Sequence, residues 1–384
     1  MKIGFDAKRV YNNNTGLGHY SRTLVKNLAK FYPNNEYVLF TPKTSNLFKI
    51  DINENIKVVT PSTFLNKIFK NIWRGSWVKN DCKKLGIDLY HGLSHQIPTG
   101  IKNAGIKSVV TIHDLIFERY PEQHGKINVL LYRRKFKYAC KNADGIIAIS
   151  KQTKNDLIDF YKVPQEKITV CYQTCNPAFA IKCNEAEIQK IKVKYNLPEK
   201  YFLSVGSITE RKNLLTVCKA VKELNNNIPL VVIGSGRKYK DQIKNYLQEN
   251  NIAHKVIFLN DSDAANDAEF KNSKDFPAIY QSATCFIYTS IFEGFGIPIL
   301  EAMCSGVPVI ASNVSCMAET GGDAALYVNP LDEIALANKI KLVLENENIA
   351  KEMIVKGYAH AQNFSAEKCT ASVINVYKKY YNEF

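Results

Sequence analysis

Tyr201-Phe-Leu-Ser-Val-Gly-Ser-Ile-Thr-Glu-Arg-Lys-Asn213 reads as a strand, a glycine turn and the approach to a helix, and it stands in the middle of the chain. A sheet is begun afresh there. Downstream, short apolar runs at Leu230–Ile233, Val256–Leu259, Thr284–Tyr288, Val307–Ile310 and Ala325–Val328 alternate with helical stretches. Upstream, Lys2–Phe5, Tyr37–Phe40, Lys57–Thr60, Asp88–Tyr90, Ser108–Ile112, Gly145–Ile149 and Ile168–Cys171 do the same. Strand runs alternating with helices predict parallel sheets covered on both faces. The expectation is α/β, two Rossmann-like doubly wound domains, each opening on a strand and a glycine loop: Gly16-Leu-Gly18 in the first, Gly206 in the second. Ligands of such sheets bind at the carboxyl ends of the strands, so two facing domains would enclose a cleft.

Length and composition agree. At 384 residues the chain exceeds what one hydrophobic core serves comfortably, and 46% apolar against 23% charged residues excludes a mainly disordered protein. Asp6 interrupts the first apolar run and no stretch approaches the length of a spanning helix, so a cytoplasmic protein is expected. Ten scattered cysteines without a C-x-x-C pair read as reduced, buried thiols. The charge is divided unevenly. Residues 1–175 hold 28 Lys and Arg against 13 Asp and Glu, while residues 176–384 hold 23 of each. Such segregation suggests that the first half faces a polyanion, either nucleic acid or an anionic membrane.

The sharpest chemical segment is Ile291-Phe-Glu-Gly-Phe-Gly-Ile-Pro-Ile-Leu-Glu-Ala-Met-Cys-Ser-Gly-Val-Pro308. Pro298 suits the first turn of a helix and Gly306 its C-terminal stop, which predicts a short helix over 298–305. Its N-terminal amides, around Gly296 and Ile297, suit a phosphate. Glu293 and Glu301 would accept hydrogen bonds from hydroxyls, as sugar rings offer them. Arg211 and Lys212, after the glycine turn at the carboxyl end of a strand, suit a diphosphate.

With these residues the sequence resembles glycosyltransferase family 4, the retaining, sugar-nucleotide-dependent enzymes of GT-B fold. The likeness rests on Glu293-Gly-Phe-Gly-Ile-Pro-Ile-Leu-Glu301, Val205-Gly-Ser-Ile-Thr-Glu-Arg-Lys-Asn213, Val232-Ile-Gly-Ser-Gly236, Ile112-His-Asp114 and Gly16-Leu-Gly-His-Tyr20. It implies that Arg211 and Lys212 hold the donor diphosphate. Glu293 with Gly294, Phe295, Gly296 and Ile297 would hold the donor sugar and phosphate, Glu301 the ribose, and Gly206 the turn beside them. Gly18 and His113 would close the site from the other domain, so that His113, Glu293, Arg211 and Lys212 carry catalysis. The domains implied are 1–178 on the acceptor side, a linker 179–199, a nucleotide-sugar domain 200–362, and a C-terminal helix in 363–384 crossing back to the first domain.

The resemblance further implies a hexosyltransferase, mannosyl favoured, moving sugar from a GDP- or UDP-linked donor to a saccharide or lipid-linked saccharide in cell-surface polysaccharide or glycolipid synthesis. No cofactor is expected. Asp261-Ser-Asp263 imitates a metal-binding D-x-D, but Arg211 and Lys212 already supply positive charge, and the polar insertion 260–274 reads as a solvated loop. The alternatives are an epimerase of the same fold and, in a different class, a basic nucleic-acid-binding protein, for which no motif is found. A nicotinamide oxidoreductase lacks its G-x-G-x-x-G. The segment 63–84 places Lys67, Lys70, Trp73, Arg74 and Trp77 among apolar residues. It reads either as a stripe with 65, 68, 69, 72 and 76 packed on the first sheet, or as an element lying on the inner face of an anionic membrane.

Overall fold

Short runs of Val, Ile, Leu and Phe that can be buried on both faces become strands of parallel sheets, because no face of such a sheet is left to water. The computed structural model of the chain describes residues 1–48 and 55–381. Among them are two compact units, one made of Met1–Thr174 and the chain from Ser365, the other of Cys175–Phe364.

The first unit contains β1 (Lys2–Asp6), β2 (Glu36–Phe40), β3 (Ile56–Val59), β4 (Leu89–Gly92), β5 (Lys107–Ile112), β6 (Gly145–Ala148) and β7 (Ile168–Val170), ordered β3-β2-β1-β4-β5-β6-β7. All neighbours are parallel, with Ile3 opposite both Tyr37 and Leu89. Two-residue periodicity sorts β2 between the faces. Val38 and Phe40 enter the core cluster with Trp73 and Val110, whereas Tyr37 and Leu39 join the one with Phe5 and Leu28.

The second unit contains β8 (Phe202–Val205), β9 (Leu230–Ile233), β10 (Val256–Phe258), β11 (Cys285–Tyr288), β12 (Val309–Ser312) and β13 (Ala325–Val328), ordered β10-β9-β8-β11-β12-β13 and again parallel throughout. In each sheet the chain runs outward from its first strand and then returns to that strand's other side. The switch points therefore lie between β1 and β4, and between β8 and β11. Loops leaving adjacent strands in opposite directions open a crevice there, at the carboxyl ends.

The expected linker is mostly regular structure. Residues Glu185–Tyr195 form a helix, started by a reciprocal cap in which Asn184 accepts from the Glu187 amide and Glu187 accepts from that of Asn184. Ile191 and Tyr195 are buried, and the helix packs on the Phe276–Gln281 helix of the second unit. The remaining residues of Glu185–Tyr195 are exposed or half-buried, which is why the segment reads as polar text. The C-terminal helix Ala366–Tyr381 packs on the Gly16–Phe31 helix of the first unit, with Val373, Ile374 and Tyr377 buried beside Ile3 and Phe5. Residues 382–384 of the expected segment lie outside the described ones. All ten cysteines are free thiols.

Candidate functional site

The loops at the second unit's switch point bring Arg211, Lys212 and Glu293 together. After β8 the backbone turns at Gly206, whose φ of 152° lies in the region glycine alone occupies easily. A 3-10 turn over Glu210–Lys212 follows, and Asn213, at φ 56°, leads into the Leu214–Glu223 helix. Asn213 is clamped. Its amide donates to the carbonyls of Thr289 and Pro330, its Oδ1 accepts from Thr216, and its own carbonyl accepts from Thr289 Oγ1. The turn is thereby pinned to the loop after β11, and the Ile291 amide donates to the Arg211 carbonyl at 2.8 Å.

Glu293 Oε1 lies 2.8 Å from Arg211 Nη1 and 2.6 Å from Lys212 Nζ. The Lys212 ammonium also donates to the Tyr288 hydroxyl at 2.6 Å and sits over that ring. Only 9% of Glu293 is exposed. Burial by itself would raise its carboxyl, but Lys212 and Arg211 overcome this and hold it below the usual carboxylate range. Lys212 moves down, since burial and Arg211 together outweigh the attraction of Glu293. Two cations against one carboxylate leave the cluster net positive. It stands next to the helix Ile297–Cys304, whose first-turn amides have no partners inside the helix.

Gly296, at φ 98°, starts that helix, and Gly306, at φ 69°, ends it with Val307 N bonding back to Ala302 O. The loop is held from behind. Ser315 Oγ donates to the Glu293 carbonyl and accepts from its amide, and Thr320 Oγ1 donates to the Phe295 carbonyl. Phe295 serves the core, with its ring against Phe364, and Gly294 is buried, while Ile297 is half-buried at the helix start. Glu301, one turn on, accepts from the Tyr280 hydroxyl at 3.0 Å, and burial pushes its carboxyl up to about 7.

In the first unit, His113 follows β5 and is 4% exposed. Its Nε2 lies 2.9 Å from the Leu93 carbonyl, which can only accept, so the proton resides on Nε2; the Gln173 amide approaches Nδ1 at 3.4 Å. Burial and neighbouring His95 push its imidazole far below the usual range. It is neutral at pH 7. The Tyr20 ring meets it edge-on at 4.7 Å, and Gly18, two residues before Tyr20, is required sterically: a Cβ there would lie 1.9 Å from the Asn13 carbonyl oxygen. Thus Gly18 and His113 share one end of the first unit, and Gly206, Arg211, Lys212 and Glu293 share one end of the second.

The 63–84 segment requires correction. Trp73 is wholly buried, with its indole N–H donating to Asp81 Oδ2 at 2.6 Å, and Arg74 is ion-paired with Asp6 at 2.5 Å. Neither can meet a membrane. Trp77 is half-buried against the same core, while Lys67 and Lys70 are exposed. Packing of 65, 68, 69 and 72 on the sheet is equally overturned: Leu65, Ile68, Phe69 and Ile72 are 59, 56, 45 and 48% exposed. The chain turns through a π-helical turn at Trp73–Trp77, and the core selects Trp73 as its inward residue. The insertion 260–274 is also not a plain loop. It forms short helical turns with Phe270 buried, and Asp261 is taken by Lys240 and by Lys244, the latter at 2.8 Å. A further acidic group, Asp267, Glu269 and Asp275, surrounds the Lys194 ammonium.

Sequence reading missed Tyr288, Tyr280, Ser315 and Thr320. Tyr288 had a signal, as the last residue of β11 before the loop. The others stand 21 or more positions from the groups they hold and carried none.

Two family models match: "Glycosyltransferase Family 4" over residues 14–179 and "Glycosyl transferases group 1" over residues 185–360. The chain is 28% identical to O-antigen chain mannosyltransferase B of Escherichia coli, over 98% of this chain and all of that one. It is 30% identical to an uncharacterized glycosyltransferase of Methanocaldococcus jannaschii, over 78% of each. In three dimensions it resembles the Anabaena protein HepE in complex with UDP and glucose, with a TM-score of 0.75 and 17% identity over 98% of this chain and 99% of that one.

Proposed function

Because the chain belongs to the family 4, group 1 glycosyltransferases and is a GT-B enzyme of glycosyl transfer, we propose that it moves a hexosyl group, mannosyl favoured, from a nucleoside-diphosphate sugar to a saccharide or lipid-linked saccharide with retention of configuration. One observation carries the donor class: Arg211 and Lys212 converge within 2.8 Å on a single carboxylate at the switch point between β8 and β11. A diphosphate brings the charge that this net-positive cluster lacks, Arg211 binding by its fork and Lys212 as a point charge. Glu293 is then released to accept from a sugar hydroxyl, and Glu301 from the ribose. Pre-aimed cations that stabilise the departing diphosphate supply most of the catalysis.

Mannose is supported by the name of the Escherichia coli relative, and a nucleoside diphosphate by the UDP of the fold neighbour. Divalent metal is not needed in this reading, because the two cations do the neutralising and Asp261 is already paired with lysines. The test is a panel of GDP- and UDP-sugars offered to the purified chain in chelator, read as thermal shift and donor hydrolysis. GDP-mannose is expected to raise Tm, since a bound donor stabilises the folded state by mass action. No shift with any sugar nucleotide, or a shift that appears only with magnesium or manganese, would contradict the proposal.

A further inference from the structure

The first unit has a groove of about 600 Å³ that the donor chemistry leaves unused. Lys8, Lys43 and Lys70 line it together with Ile68, Phe69 and Ile72. Lys8 follows β1 and Lys43 follows β2, so the groove opens at the carboxyl end of the sheet, beside the switch point. Asn12 fixes one wall by donating to the Lys43 carbonyl at 2.8 Å.

Two features of the groove call for a ligand. The first is apolar exposure: Phe64 is 77% exposed, and with Leu65, Ile68, Phe69 and Ile72 it makes five large side chains facing water within nine residues. A contiguous patch of that kind marks an interaction surface. The burial of Trp73 and the Arg74–Asp6 pair fix this orientation, so the patch cannot turn inward without breaking the core.

The second feature is uncompensated charge. Asp6 is engaged by Arg74, and among the described residues no carboxylate lies within ion-pair distance of Lys8, Lys43 or Lys70. From Asn55 to Asn80 the sequence has no Asp or Glu. Lys8 is pushed down by burial, by Arg74 and by Arg9, which together outweigh the upward pull of Asp6, and Lys135 is pushed down by burial, Arg74 and Arg9 in turn. Among the described residues, Asp6 is the carboxylate that acts on Lys8, and it is already paired with Arg74. Lys135 also stands one and two turns beyond Leu131 and Ile127 on the same stripe of the Lys126–Asn142 helix, and those residues are 49 and 76% exposed. Apolar surface and positive charge thus recur together along this edge of the unit.

We propose that the groove binds the phosphate or diphosphate of a lipid-linked acceptor, with Lys8, Lys43 and Lys70 on the phosphate oxygens and Ile68, Phe69 and Ile72 on the first carbons of the lipid. Phe64 and Leu65 then enter the hydrocarbon boundary, as an interfacial element does. The assignment rests on the glycosyltransferase reading and chooses the lipid-linked acceptor over the free saccharide.

The test uses the full chain and phosphatidylcholine vesicles doped with a polyprenyl diphosphate, compared with vesicles of equal charge made with phosphatidylglycerol, by cosedimentation at about 0.15 M salt, where long-range attraction is screened. At least tenfold tighter binding to the polyprenyl diphosphate vesicles is expected. That preference should vanish in the combined Lys8→Glu, Lys43→Glu, Lys70→Glu variant and, in case that variant folds poorly, in Ile68→Ser with Phe69→Ser. Equal binding to both vesicles would mean a bulk anionic surface and overturn the assignment, as would an unchanged preference in the variants. The sugar-nucleotide thermal shift, read on the same samples, should persist in both variants; its absence from the unaltered chain would count against the donor reading and leave the vesicle result to stand by itself.

Discussion

Glu293 and Glu301 lie eight residues apart in opposite electrostatic situations. Glu293 is held ionised by Lys212 and Arg211 against its own burial, whereas Glu301, with a tyrosine hydroxyl as its partner, is pushed up to about 7 by burial. A raised carboxyl favours the protonated form in the folded state. Its contribution to stability is present below the ordinary glutamate range and is lost as pH rises through about 7. In the proposed donor complex the sign is opposite, because a ribose hydroxyl would donate to the ionised form. Between pH 7.5 and 5.5, donor affinity should fall about tenfold more in the unaltered enzyme than in Glu301→Gln, whose amide oxygen still accepts from Tyr280. Titration calorimetry at several pH values checks this, and parallel slopes in the two proteins would remove Glu301 from the ribose. The glutamates themselves were legible, because one precedes a glycine loop and the other stands in the proline-marked helix that follows it, and both signals are local. Which one is ionised was not, since Arg211, Lys212 and Tyr280 lie 82, 81 and 21 positions away.

At the level of elements, all thirteen described strands were readable, because a strand of a covered parallel sheet is a short, mainly apolar run whatever lies beside it. Short helices were not so readable. Periodicity in 63–84 predicts that 65, 68, 69 and 72 share a side packed on the sheet, but it cannot say what faces water, and all four are exposed. The decision belongs to Trp73, which fills a site among Phe40, Tyr90 and Val110 and finds Asp81 for its indole N–H. Truncation should therefore follow burial rather than pattern. Trp73→Ala should cost about 3–5 kcal/mol, whereas Leu65→Ser and Ile72→Ser should each stay within about 0.5 kcal/mol. Urea midpoints on the three variants check this. A small loss at Trp73 together with a large one at Leu65 would mean that the segment packs the other way round.

For the whole molecule, two Rossmann-like units divide the chemistry as they divide the charge, with the excess of Lys and Arg in the first and the cation-carboxylate cluster in the second. The first unit also contains His91, fully buried between Thr111 and Tyr377 and pushed by burial down to about 3, and His113, which is pushed down as well. A depressed histidine is neutral in the folded state while the unfolded chain takes up its proton, so stability is full above about 6.5 and drains away as pH falls below it. Each such group should contribute up to about 1.4 kcal/mol per pH unit. Thermal melts from pH 7.5 to 5 should show Tm falling below 6.5, with a shallower fall in His113→Asn; an identical slope in the variant would mean that His113 is protonated in the folded protein. The central claim, that Arg211, Lys212 and Glu293 are the donor site, is tested most directly by single-turnover transfer from GDP-mannose in Lys212→Ala and Glu293→Ala, with Tm measured on the same samples. Loss of one such contact should remove about 2–4 kcal/mol of transition-state stabilisation, about a hundredfold or more in rate, with Tm little changed. Turnover within a few fold of the unaltered enzyme in both variants, with folding intact, would contradict the account and put the reaction elsewhere.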